Sequence, residues 1–132
     1  LLRTLMADRD QGGDRLESRL EARLLRAVHR AGLPPPRPQV RVRAGTTVAR
    51  LDFGYPEQRV GIETHGYRWH GGRERWERDL RRVNALTLAG WTVLTFSWND
   101  VAQHPETVVA QIASALEASG ASRASSDRAS LT

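Results

Sequence analysis

The segment Leu51-Asp52-Phe53, resumed after a turn by Gly61-Ile62-Glu63-Thr64-His65-Gly66-Tyr67-Arg68-Trp69-His70, gathers two carboxylates and two imidazoles into one short stretch. Side chains alternate along a strand. In residues 59–65, therefore, Val60, Ile62 and Thr64 point one way while Glu63 and His65 point the other, about 7 Å apart along the chain. Pro56 has no N–H to give a ladder, so 54–58 reads as a turn between two strands. A carboxylate beside Val60 and Ile62 is costly unless it is paired with a cation or bound to a metal.

Working outward from this stretch, Val40 and Val42 alternate with Arg41 and Arg43 in a strand over 39–43. A turn at 44–46 and a return strand over 47–53 complete a hairpin. Downstream, glycines 66, 71 and 72 mark a loop into a helix over 73–89, with Trp76, Leu80, Val83 and Thr87 expected on its inner face. Gly90 stops that helix, and the apolar run 91–98 reads as a strand at the centre of the sheet. Pro105 suits the first turn of a last helix, whose inner face is Val108, Val109, Ile112 and Leu116. Upstream, Leu16, Leu20, Leu24, Ala27, Val28 and Ala31 mark one helix face. Ser18-x-x-Glu21 has capping-box form, and Gly32 with the prolines at 34–36 ends the helix.

The order αβββαβα predicts an α/β chain: an α/β/α sandwich with a mixed central sheet of about four strands flanked by helices. Residues 1–15 are expected to be a linker or the tail of a preceding domain, and 16–118 the domain itself. The Ser-, Ala-, Gly- and Arg-rich stretch 119–132 is expected to be a disordered tail.

The chain has 132 residues, room for one domain, and its 39% hydrophobic and 27% charged residues are ordinary for a soluble globular protein. It shows no apolar run of membrane-spanning length and opens on nothing that reads as a signal peptide, so a cytoplasmic location is expected. It begins with Leu, so it is expected to be part of a longer chain. The absence of Cys excludes disulfides, thiol nucleophiles and Cys-based zinc centres. The net charge is +5, and all 20 basic residues are Arg. Arginine grips phosphate bidentately, which suits nucleic acid, although a coding bias toward Arg gives the same composition.

Phosphodiester hydrolysis needs a cation to offset charge on the pentavalent transition state and to deliver a nucleophilic water. Hard divalent ions such as Mg²⁺, or Mn²⁺ in its place, take carboxylates and other oxygen ligands. Asp52 and Glu63 on neighbouring strands can supply these. His65 is suited to act as the base on the water, and His70 to protonate the leaving oxygen. Each residue has a plainer reading. Asp52 suits a turn cap, Glu63 an ion pair with Arg, Glu21 its place in the capping box, Asp79 ion pairs on a helix surface, and each His a structural role.

Asp-x10-Glu-x-His resembles the core of PD-(D/E)XK nucleases, with His in place of the final Lys. More closely, Leu-Asp-Phe followed by Glu-Thr-His-Gly-x-x-Trp-His is similar to the very-short-patch-repair endonucleases. The likeness extends from Leu16 to Leu116 and takes in Glu21, Asp79 and Gly90-Trp91. The pattern also resembles a bacterial domain of unknown function that ends larger proteins, some with an AbiEi-type antitoxin region. The resemblance implies a restriction-endonuclease-like fold and metal-dependent cleavage of DNA, with RNA not excluded. It implies Asp52, Glu63 and the backbone carbonyl of Thr64 as metal ligands, and His65 and His70 as proton-transfer groups. Glu21 would then approach the metal-bound waters, while Arg68, Trp69, Arg73 and Arg75 would lie against nucleic acid. Glu63 departs from the repair enzymes, where an apolar residue is usual. The lack of Cys removes their structural zinc, and their mismatch-inserting aromatic wedge has no counterpart. The competing expectation is a nuclease-fold module that binds nucleic acid or serves an antitoxin-associated regulatory role without turnover.

Overall fold

The computed structural model describes residues 2–65 and 72–130, with side chains from 15 to 65 and from 72 to 120. The elements are α1 (Leu2–Arg30), β1 (Arg37–Ala44), β2 (Thr47–Tyr55), β3 (Val60–His65), α2 (Gly72–Leu88), β4 (Thr92–Ser97), α3 (Trp98–Gln103) and α4 (Pro105–Ser130). The sheet order is β1-β2-β3-β4, with the first two pairings antiparallel and β3–β4 parallel. The parallel pair needs a crossover, and α2 supplies it.

Two apolar layers lie on either side of this mixed sheet, as the α/β/α expectation requires. One joins Leu20, Leu24 and Val28 of α1 and Val101, Val108 and Ile112 of α3 and α4 to Phe53, Tyr55, Val60, Ile62 and Phe96. The other sets Leu86 of α2 on Val42, Ala49 and Leu51, with Val40, Trp91 and Val93 at its margin. Both α1 and α2 end in the same way. Gly32 and Gly90 take left-handed φ of 73° and 85°, and the following N–H groups bond back to Val28 and Leu86. In each case this closure folds the next residue, Leu33 or Trp91, onto the same layer as the helix.

Four expectations are corrected. Strand β4 lies at an edge of the four-stranded sheet, not at its centre. It is apolar because it is sandwiched: Leu94 and Phe96 feed one layer and Val93 the other. A separate helix, α3, follows it. Ser97 caps that helix reciprocally with Asp100, a Ser-x-x-Asp signal readable in the sequence and overlooked there. Helix α1 runs unbroken from Leu2 through the start expected near 16, so Ser18 lies mid-helix and the Ser18–Glu21 capping box does not exist. Helix α4 continues past 118 to Ser130 where a disordered tail was expected. Ala and Arg are good helix formers, and the Ser119 hydroxyl donates to the Gln58 carbonyl, fastening that stretch to the β2–β3 turn.

Helix α2 is the largest departure. The stripe expected to face inward is exposed, with Trp76 at 53%, Leu80 at 44% and Val83 at 42%. The side turned to the sheet carries Asp79, Arg82, Ala85 and Leu86, all buried or half-buried. Polar partners on the strands override the apolar periodicity, and those partners belong to the candidate site.

Strand β2 changes face at Asp52. Phe53 packs with α1 and α4, whereas Leu51 and Ala49 pack with α2, although strict alternation would put all three on one side. Opposite Asp52, Gln39 adopts a left-handed φ of 53°, and its side-chain carbonyl accepts from Arg50 Nε. The Leu51 side chain lies against Gly61 so closely that a Cβ there would meet Leu51 Cδ1 at 2.7 Å. Leu51 is fully buried and has nowhere to retreat. Gly61→Ala is therefore expected to destabilise the fold by about 1–3 kcal/mol, read from urea denaturation.

Candidate functional site

The change of face at Asp52 turns its carboxylate into the gap where β2 and β3 part. Registered β2–β3 pairing stops at Phe53–Ile62. Beyond it, Asp52 Oδ2 accepts from the Thr64 backbone N–H at 2.9 Å and from the Thr64 hydroxyl at 3.3 Å. A side chain thus takes the place of the next rung of the ladder and fixes the Asp52 head group. Thr64 holds Asp52 through its N–H and hydroxyl.

Glu21 approaches from α1. With no capping box to account for it, its position is set by the helix face it shares with the edge of the core. Its proton affinity is raised above the ordinary 4.5, first by burial, then by the Asp52 charge and by Glu17, with Arg50 opposing. Asp52 and Glu21 thus form a pair of carboxylates that repel each other. Repulsion of this kind is relieved by a proton or by a cation.

The sign of the resulting pH dependence follows directly. A carboxyl whose folded-state pKa lies above its unfolded value destabilises the fold once ionised. That penalty is absent below the unfolded value and complete above the folded one. Glu21→Gln should therefore raise the melting temperature at pH 7, and the gain should vanish as pH falls through the ordinary Glu range. Calorimetry from pH 7 downward reads this.

Glu63 points to the other layer, as alternation requires, and there it meets Arg82. Their ion pair is shielded, with side-chain exposures of 13% and 22%. Arg82 also donates to the Arg50 carbonyl and lies 3.8 Å from Asp79 Oδ1. One guanidinium therefore ties α2 to β2 and β3, which explains why α2 turns its polar side inward. The sequence showed that Glu63 needed a cation but not which one. Arg82 is one of five arginines between 73 and 82, and the apolar stripe directed attention to the opposite side of the helix.

His65 ends β3 in register with Ser97 and is exposed. Arg73 is exposed and lies 3.5 Å from Glu77, which is 3.7 Å from Arg81 as well. Arg75 sits in the first turns of the same helix. Arg68, Trp69 and His70 lie outside the described residues. Among the described residues no three of His, Cys, Asp and Glu converge as a metal-holding group. The structure brings Asp52, Thr64 and Glu21 together on one side and Glu63, Arg82 and Asp79 on the other, with β3 between them.

No helix is long and apolar enough to cross a membrane among the described residues. No solved structure matches the chain significantly. Two proteins of Mycobacterium tuberculosis do match. They are uncharacterized protein MT2308 of strain CDC 1551 and uncharacterized protein Rv2248 of strain H37Rv, each 35% identical over 98 residues. The aligned region is 74% of this chain and 35% of either relative, so the likeness covers about a third of their length. The family model REase_MTES_1575 matches residues 21–116, from Glu21 through all four strands to the inner face of α4. By that match the chain belongs to the REase_MTES_1575 family of restriction-endonuclease-like domains.

Proposed function

We propose that this domain is a divalent-metal-dependent endonuclease acting on DNA, with Asp52 as its central carboxylate. The observation that carries the proposal is the pairing of Asp52 with Glu21 where β2 and β3 separate: two mutually repelling carboxylates, one locked by Thr64. Oxygen donors of this kind fit a hard divalent cation such as Mg²⁺ or Mn²⁺, with Asp52 as a holding residue, Glu21 beside it and the Thr64 carbonyl as a further oxygen donor, while Glu63, across β3, could join them only on release from Arg82. Such an ion would supply charge neutralisation at the scissile phosphate and a more acidic water.

The chain's own part is positional. The Thr64 N–H and hydroxyl hold the Asp52 head group, leaving its second oxygen available. Glu21 can take or hold a proton on that side, because burial and Asp52 both favour its neutral form. His65, exposed at the end of β3, is proposed to move a proton to or from solvent, and the imidazole of His70, later in the same motif, is proposed to serve the leaving oxygen. Arg73 and Arg75 at the start of α2, with Arg68 and Trp69 before it, are proposed to face the nucleic acid backbone.

A specific observation favours a second reading, a module that binds nucleic acid without turnover. The Glu63 carboxylate is already neutralised by Arg82. Incubation of the chain with supercoiled plasmid, linear duplex and RNA in the presence of Mg²⁺ or Mn²⁺ separates the two. Nicking that needs the ion supports the nuclease. Salt-dependent binding indifferent to the ion and to Glu63→Gln, with no product on any substrate, rejects it in favour of the binding module.

A further inference from the structure

Helices α1, α3 and α4 enclose a groove of about 720 Å³ whose lining includes none of Asp52, Glu21 and Glu63. Its floor and far wall are small and apolar: Ala27 of α1 and Ala31 just past its end, Ala102 of α3, and Val109, Ala110 and Ala113 of α4. Its near wall is basic. Arg23, Arg26 and Arg30 line it at successive turns of α1, against one acid, Glu106, on the α4 side. Arg23 is laid over the Trp98 ring, 5.2 Å from its centroid, which fixes that end of the row. Among the described residues, no carboxylate forms an ion pair with Arg26 or Arg30.

We infer that this groove is a docking site for an acidic amphipathic helix of a partner protein. Two features select that occupant. Small residues on two facing helices let a third backbone approach closely, and a third helix buries an apolar strip in such a groove. Arginines spaced by three and four residues along α1 match carboxylates at the same spacing on a helix running beside it. A nucleic acid strand would use the arginines but leave the alanine and valine floor unsatisfied. A second copy of this chain would have to present an acidic helix face, and the net charge of +5 works against that pairing. The inference does not depend on cleavage.

A displayed library of random peptides about 18 residues long, five helical turns, selected against the whole chain, tests it. Enriched peptides are expected to carry carboxylates at i, i+4 and i+7 beside an apolar strip. When synthesised, they should bind the Arg26→Glu/Arg30→Glu variant at least about tenfold more weakly. Ala110→Trp, which fills the floor and spares the arginines, should weaken them as much, with circular dichroism melts confirming that both variants fold. Enrichment of peptides without an acidic face, or of none, overturns the inference. So does peptide binding indifferent to Ala110→Trp. It is also overturned if the charge reversal instead abolishes oligonucleotide binding or dissociates a dimer seen by light scattering.

Discussion

Asp52→Ala is expected to lower ion-dependent cleavage at least about a thousandfold, because losing a charged cation ligand forfeits several kcal/mol at the transition state and each factor of ten corresponds to about 1.4 kcal/mol. Ala also removes the acceptor for the Thr64 N–H, and a half-buried backbone donor left unpaired costs about 1–3 kcal/mol. The Ala variant should therefore melt earlier as well as fail to cut. Asp52→Asn separates the two effects. Its amide oxygen can still accept from Thr64, so stability should largely return, while the lost charge keeps cleavage down. Plasmid nicking and thermal melts run on both variants check this. An Asn variant that cuts like the parent would remove Asp52 from the chemistry.

The second large effect is expected at Arg82. Arg82→Ala leaves Glu63 shielded and unpaired, frees the Arg50 carbonyl and takes a partner from Asp79, so the fold should lose about 2–4 kcal/mol. Glu63→Gln in the same chain should restore part of that loss. The double-mutant cycle from denaturation curves should show coupling well above that of an exposed pair. If the Arg82 and Glu63 effects simply add, the ion pair is not what holds α2 to the sheet. The same variants bear on mechanism. With Arg82 gone, Glu63 is released to an added cation, and Mn²⁺ should recover more stability in Arg82→Ala than it adds to the parent.

What the sequence made legible was whatever short-range pattern controls. Alternation put Val60 and Ile62 in the core and Glu63 on the other face. Pro56 marked a turn, Pro105 a helix start, and Gly32 and Gly90 helix ends. All of these depend on one residue or on neighbours within a few positions. The misreadings came where a partner distant in sequence decides. The inward side of α2 is chosen by Glu63 and the Arg50 carbonyl on two strands, and no pattern within α2 carries that information. The edge position of β4 depends on strand order, and sandwiching between two helical layers makes an edge strand look central. For Glu21 the sequence offers a local capping motif beside a role at the metal-bound waters. The continuous helix through Ser18 removes that explanation and leaves the electrostatic one. The Asp52–Thr64 contact is invisible in the sequence for a related reason: it arises from a departure from alternation, which no local pattern announces.

That departure has a mechanical consequence. The two ends of β2 pack into different layers. Ala49 and Leu51 pack with α2, whereas Phe53 and Tyr55 pack with α1 and α4, and the Tyr55 hydroxyl donates to the Pro34 carbonyl at 2.8 Å. Asp52 is the joint between them. The aim of its carboxylate therefore depends on how both layers seat on one strand, so a substitution that shifts the packing of either layer should also shift the Asp52–Thr64 contact.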